Sequence, residues 1–327
     1  MLQGMAAVAG AVTVMQSPLV AAVLEPLRGS SGAYSDLMLL QQQAAHTGFE
    51  FDPVKLNQLA ANVYLLTGPG GNIAVIAGKD GTLLIDDGVP GRGKDILDGV
   101  ATVSKQPVKW LINTHWHYDH TGGNEFMGQQ GIEIIANQNC RARLSKDTFI
   151  DAFQRNFPAV PAVGLPKKTF DNEYTVPLGN VETLHLTHVP PAHTDGDIFI
   201  HFQNANVLHT GDLLFNGSYP FIDYSTKGWI GGMVAAQDKI LKLVDAQSKI
   251  IPGHGPMATR DDLKASHDMM ATVSDRITAS IKAGHTVEET VAAKPTKDLD
   301  AKWAKGFMNP DTFTTIVYKG IVAHQSA

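Results

Sequence analysis

From about residue 62 the chain is a succession of short apolar runs separated by turn residues. NVYLLTG and NIAVIAG each end on glycine, and Lys79-Asp80-Gly81 leads into TLLIDDG. Short runs of aliphatic residues punctuated in this way predict antiparallel strands and hairpins. A helical segment follows at about 93–105, then the apolar strand VKWLIN. A second helix opens after Gly123, IEIIA reads as a strand, and about 137–155 reads as a helix. Residues 156–168, rich in Pro and Gly, read as an irregular loop. The second half repeats the outline. YTVPL, VETLHLTHV, DIFIHFQ and NVLHTGD read as strands, 231–247 as a helix and KIIPG as a closing strand. After Pro256 the pattern is helical. Thr259 with Asp262, and Thr286 with Glu289, have the spacing of capping boxes. Two mixed halves predict two sheets packed face to face with helices outside. The expected division is 1–58 as an N-terminal extension with a short helix at 30–46, a compact body over 59–258, and a helical extension over 259–327.

The chain of 327 residues is 43% hydrophobic and 18% charged, which excludes wholesale disorder. Its formal net charge is −6, and no stretch gathers basic residues, so nucleic acid is not an expected partner. The only cysteine is Cys140, which excludes an internal disulfide and a thiolate metal cage. Residues 1–24 carry no charge, and MAAVAGAVTV has the character of a signal-peptide core without its basic flank. A leader remnant and a loosely packed extension both fit; the first places the protein in the periplasm or outside the cell, the second in the cytoplasm. Gln16, Ser17 and Pro18 interrupt the run, so no stable membrane span is expected. The pattern does not fix an oligomeric state.

Histidine is in surplus at 13 residues, and its placement changes the picture. THWHYDHTGGN puts His115, His117, Asp119 and His120 directly after VKWLIN. On an extended backbone, residues two apart point the same way, so His115 and His117 converge on one metal while Asp119 and His120 reach a second. Three more candidates follow apolar runs: His193 in PPAHTDGD, Asp212 in HTGD and His254 in IIPGHG. Five His and two Asp are too many for one tetrahedral ion and fit two. Imidazole and carboxylate suit zinc, and also iron or manganese.

These motifs, with the acidic strand end LLIDDG, resemble the metallo-β-lactamase superfamily over about 60–260. The resemblance implies a four-layer αββα sandwich. It implies that His115, His117 and His193 hold one metal, that Asp119, His120 and His254 hold the other, and that Asp212 bridges them. It also implies that Asp86 hydrogen-bonds a histidine ligand and fixes its orientation. The helical tail is similar to that of bacterial hydrolases in the same superfamily. Where one β-lactamase branch has a ligand cysteine this chain has Asp212, and where that branch has a carboxylate-gripping cation it has Phe215. The full ligand set is more similar to glyoxalase II, lactonases and general hydrolases, and His117 argues against the flavodiiron oxidoreductases.

The resulting expectation is a dinuclear zinc hydrolase. Two cations lower the pKa of a bridging water from about 15.7 towards 7, giving a hydroxide that attacks the carbonyl of a small-molecule ester, thioester, lactone or lactam. Asp119 accepts or relays the proton. The alternatives are a single-iron persulfide dioxygenase and a β-lactamase proper. Tyr219, Phe221, Tyr224 and Trp229 either line the pocket or pack their own loop. Trp116 and Tyr118 alternate with the ligands and are placed to wall the cleft. His185, His188, His201 and His209 read as core or surface residues, with His209 the nearest to a supporting role. Cys140 reads as an inert thiol on a helix.

Overall fold

A computed structural model describes residues 52–179 and 181–326. The uncharged run 1–24 and the helix expected at 30–46 lie outside the described residues. The first half contributes Lys55–Ala60 (β1), Val63–Thr67 (β2), Ile73–Ala77 (β3), Thr82–Ile85 (β4), Val108–Ile112 (β5) and Glu133–Asn137 (β6). A separate ribbon pairs Thr148–Ile150 (β7) with Arg155–Phe157 (β8). Lys168–Phe170 (β9) then joins the open edge of β6, completing a sheet of order β1-β2-β3-β4-β5-β6-β9. β1 to β4 pair antiparallel, and β4, β5, β6 and β9 run parallel.

The second sheet has the order β10-β11-β12-β13-β14: Glu173–Leu178, Glu182–His188, Ile198–Phe202, Val207–His209 and Lys249–Ile251. Only the pair β13 and β14 is parallel. Alternation along the strands explains the layering. Leu65, Ile76, Leu83 and Ile85 face inward and pack with Leu184, Leu186, Ile198 and Ile200 of the other sheet. Their neighbours Leu66, Val75 and Leu84 face outward onto Ile96, Val100 and Met127 of the covering helices. On the far side, the helix Ile230–Leu241 covers β12, with the Lys239 ammonium 5.8 Å from the Phe199 ring centroid. The architecture is therefore the expected αββα sandwich with C-terminal helices.

Three expectations need correction. The strand order starts at Lys55, earlier than the pattern suggested, because β1 is a polar, largely exposed edge strand with little hydrophobic signature. The helix expected over 137–155 stops at Leu144. Beyond it, Thr148 and Ile150 are β-branched and extend into the ribbon, which turns at Gln154 with φ +49°. The helix expected over 231–247 ends at Leu241, and the Asp245 amide bonds the Ser248 hydroxyl in the following turn.

The tail contains helices Arg260–Lys282, Val287–Ala292, Asp300–Trp303 and Pro310–Gln325. Both capping boxes form, at Thr259 with Asp262 and at Thr286 with Glu289. Among the described residues no helix is long and apolar enough to cross a membrane.

Candidate metal centre

Every candidate ligand sits just beyond the C-terminal end of a strand, where a rigid sheet holds a short loop. His115, His117, Asp119 and His120 follow β5, His193 follows β11, Asp212 follows β13 and His254 follows β14. The short helix Tyr118–Thr121 turns Asp119 and His120 back toward the cluster. Close approach is built in: a Cβ at Gly71 would fall on the His120 ring, and one at Gly253 on Asp212 Oδ1.

The side chains converge as two groups. His115, His117, His193 and Asp212 offer ligand atoms within 4.8 Å of one another, as do Asp119, His120 and His254. Asp212 stands between them. Its Oδ2 lies 3.3 Å from His193 Nε2 and 3.7 Å from His115 Nε2. Its Oδ1 lies 3.0 Å from His120 Nε2 and 3.5 Å from His254 Nε2. Asp119 Oδ2 is 3.2 Å from His254 Nε2 and 3.8 Å from His120 Nε2. The first group is buried, whereas Asp119 and His254 are about a quarter exposed and mark the open side.

The ring nitrogens away from the cluster are held by named partners. Asp86 Oδ2 is 2.7 Å from His120 Nδ1 and also accepts the Thr114 hydroxyl, while Oδ1 accepts the Thr114 amide. To do this Asp86 adopts φ +64°, an uncommon conformation for a residue with a Cβ. His115 Nδ1 meets Thr114 Oγ1 at 3.0 Å, and His193 Nδ1 meets the Phe221 carbonyl at 2.8 Å. His117 Nε2 meets Asp223 Oδ2 at 3.2 Å. Sequence reasoning missed Asp223. The available signal was the run DYST, in which the Asp223 side chain accepts the Ser225 amide and the Thr226 hydroxyl. Asp197 was also missed; it accepts the His193 and Thr194 amides and fixes the AHTDGD loop.

The inward nitrogens are left facing each other. His193 Nε2 and His117 Nδ1 are 2.8 Å apart, and His120 Nε2 and His254 Nε2 are 3.2 Å apart. His115 Nε2 is buried with no hydrogen-bond partner, and Asp212 Oδ1, though close to His120, lacks the alignment of a hydrogen bond. A buried polar atom left unsatisfied costs about 1–3 kcal/mol. Two such atoms, beside ring nitrogens that face one another, fit the donor set of a bound cation.

The electrostatics divide along the same line. Burial holds His115 well below the ordinary histidine value and brings His193 down to about 4, so both are neutral. Against the desolvation of their rings, Asp212 and Asp119 raise His120 well above its ordinary value and His254 to about 9. Burial opposes ionisation of Asp212 and Asp119, yet His120 and His254 pull both below the usual carboxylate range.

The other candidates fall outside the cluster. His209 braces it: Nδ1 accepts the Gly211 amide and Nε2 faces the Asn72 carbonyl. His185 and His201 pair across β11 and β12, and His188 bonds the Asp195 carbonyl. Of the aromatics, Phe221 lies 5.7 Å from the His117 ring and 5.8 Å from that of His193, with half-exposed Phe153 stacked on it. Half-exposed Tyr118 stacks on Phe157. Trp116 is buried, with its ring edge-on to those of His117 and Phe157. Tyr219 packs on Phe313, Tyr224 bonds Asp151, and Trp229 stacks on His324, so all three secure the loop. Cys140 is a buried helix residue whose thiol burial pushes well above its ordinary value.

Comparison with known proteins agrees with this geometry. The profile described as the metallo-beta-lactamase superfamily matches residues 66–254. A hydroxyacylglutathione hydrolase of Haemophilus influenzae is 30% identical over 171 residues, covering 51% of this chain and 78% of that protein. An acyl-coenzyme A thioesterase of Gallus gallus is 25% identical over 209 residues, covering 58% and 73%. The structure of a metallo-beta-lactamase from Pontibacter korlensis superposes with a TM-score of 0.56 at 18% identity, covering 67% of this chain and 99% of that one.

Proposed function

Because the chain belongs to the metallo-β-lactamase superfamily, a family of metal-binding hydrolases, we propose that it is a dinuclear zinc hydrolase acting on small-molecule thioesters. The observation that carries the two-ion reading is Asp212, which turns one oxygen to each histidine group. His115, His117 and His193 would hold one ion, Asp119, His120 and His254 the other, and Asp212 both. The reading assigns catalysis to residues 59–258, with 259–327 as an extension. Two relatives named for thioester hydrolysis support the substrate class. Phe215 supports it too: a buried phenyl ring stacked on His254 offers a β-lactam carboxylate no charge.

When bound, such ions act as Lewis acids and make a water acidic enough to attack near neutral pH. The chain's own groups then do the following. Asp86, Thr114, Asp223 and the Phe221 carbonyl fix the ring orientations, so the site is formed before substrate arrives. Asp119, on the open side, is placed to take the proton of the attacking water. Phe221 with Phe153, and Tyr118 with Phe157, offer apolar cover to the acyl chain. The new C–O bond forms at the acyl carbon, the C–S bond breaks, and the proton held by Asp119 passes to the leaving thiolate.

Elemental analysis of gently purified protein should find about two ions per chain. Turnover of acyl-glutathione, acyl-coenzyme A, a simple lactone and a penicillin should rank the thioesters first. Full hydrolytic activity without metal, or a β-lactam preferred by about tenfold, a margin of 1.4 kcal/mol, overturns the reading.

A further inference from the structure

The C-terminal extension reaches the open side of the site. Trp303 and Met308 are both buried, and between them Lys305, Gly306 and Phe307 are exposed. The loop is tied to the segment that follows Asp212. The Tyr219 amide donates to the Trp303 carbonyl at 2.9 Å, and the Tyr219 hydroxyl bonds Asp300 at 2.8 Å. Gly306 lies against Ser218 so closely that a Cβ there would stand 2.8 Å from the serine Cβ.

The result is a pocket of 370 Å³ between the two segments. His254, Phe215 and Ser218 line it from the side of the site, and Lys305 and Phe307 from the C-terminal extension. Lys305 makes no hydrogen bond or ion pair among the described residues. Phe307 is 55% exposed, a large apolar surface two residues from that ammonium. Neither feature is needed for packing, since Trp303 and Met308 anchor the loop.

We propose that Ala304–Phe307 completes the substrate pocket, and that Lys305 binds an anionic group carried by the leaving thiol. This rests on the thioester reading above. The pocket opens beside His254 and Asp119, the half of the site nearest solvent, whereas the aromatic cover for an acyl chain lies beside His117 and His193. A substrate spanning the site therefore presents its acyl end to the aromatics and its thiol end to Lys305. A carboxylate or a phosphate on that thiol would replace the water around the ammonium, and Phe307 would cover the adjoining chain.

The test is titration calorimetry on metal-loaded protein with three non-hydrolysable thioethers. S-methylglutathione carries carboxylates, S-methyl-coenzyme A carries phosphates, and S-methyl-N-acetylcysteamine is neutral. Lys305→Ala should weaken at least one anionic thioether by about tenfold and leave the neutral one within about twofold, the size of a charge-assisted contact. Which anion responds separates carboxylate from phosphate. Lys305→Arg should retain most of the binding, and Phe307→Ala should weaken all three alike. In turnover, Lys305→Ala should raise KM for the matching thioester with little change in kcat. Equal binding of all three thioethers by Lys305→Ala and wild type overturns the proposal. The two readings fail separately. Hydrolysis of thioesters with an indifferent Lys305→Ala defeats the pocket assignment alone. Binding through Lys305 without hydrolysis of any thioester defeats the reaction assignment alone.

Discussion

Asp223 Oδ2 stands 3.2 Å from His117 Nε2, on the edge of the ring opposite Nδ1, which faces His193. The carboxylate places the ring proton on Nε2 and leaves the Nδ1 lone pair directed into the cluster. Although burial resists it, the contact with His117 keeps Asp223 below the usual carboxylate range, so it is ionised at neutral pH. Asp223→Asn preserves the shape and removes the charge. It should weaken metal binding by about 10- to 100-fold, the usual effect of losing a partner behind a ligand histidine. Chelator competition followed by metal analysis measures this; unchanged affinity would mean that Asp223 only shapes its loop.

Asp212→Ala removes the single side chain shared by both groups. Retention of metal should fall, with most activity lost, while circular dichroism stays native. A variant that keeps its full metal complement and wild-type turnover would show that the two groups do not depend on a shared carboxylate.

Gly253→Ala tests the close packing behind that carboxylate. The added methyl falls on Asp212 Oδ1 and on the Gly211 backbone. Backbone on one side leaves little room to yield, so a loss of about 1–3 kcal/mol in stability is expected. Metal content should fall with it. Thermal melts with and without added zinc read both effects, and a wild-type melt with full occupancy would rule out the predicted crowding.

The pH dependence of the metal-free protein follows from His254. Asp212, Asp119 and His120 surround it, and the two carboxylates raise it from 6.5 to about 9. A raised histidine stabilises the fold fully below its unfolded value and loses that contribution as pH rises through its folded value. The melting temperature of chelator-treated protein should therefore fall as pH passes from about 7 to 9.5. Metal-loaded protein, in which a bound ion would hold His254 deprotonated, should lack that fall. Binding should also release protons below pH 9, seen as a buffer-dependent heat in calorimetry. Parallel melting curves for the two forms would contradict this charge assignment.

The strands of the second half were readable because each is short, apolar and closed by a turn residue. DIFIHFQ, for example, holds Ile198–Phe202 with Ile198, Ile200 and Phe202 on the inner face. The convergence of the HWHYDH loop with His193, Asp212 and His254 was readable in kind, since all are polar side chains placed where apolar runs end. Asp86 was found because it closes a strand. Asp223 was not, because it sits in a loop whose path is set by distant contacts, such as Tyr219 on Phe313 and Ser225 Oγ on the Asp151 amide. Exposed β1 left no hydrophobic trace, and β9 and the β7–β8 ribbon are too short for periodicity to register.

The ligand-bearing loops are divided between the sheets, with His115, His117, Asp119 and His120 after β5 and His193, Asp212 and His254 after strands of the other half. His120 and His254 are 134 residues apart in the chain. At ribosomal speed that interval lasts on the order of ten seconds. During it the nascent chain displays four of the candidate ligand side chains without their counterparts. The complete cage exists only after the sandwich has closed. On the proposed reading, ion capture falls at the end of biogenesis, and occupancy of the cluster becomes a record that the two halves have met.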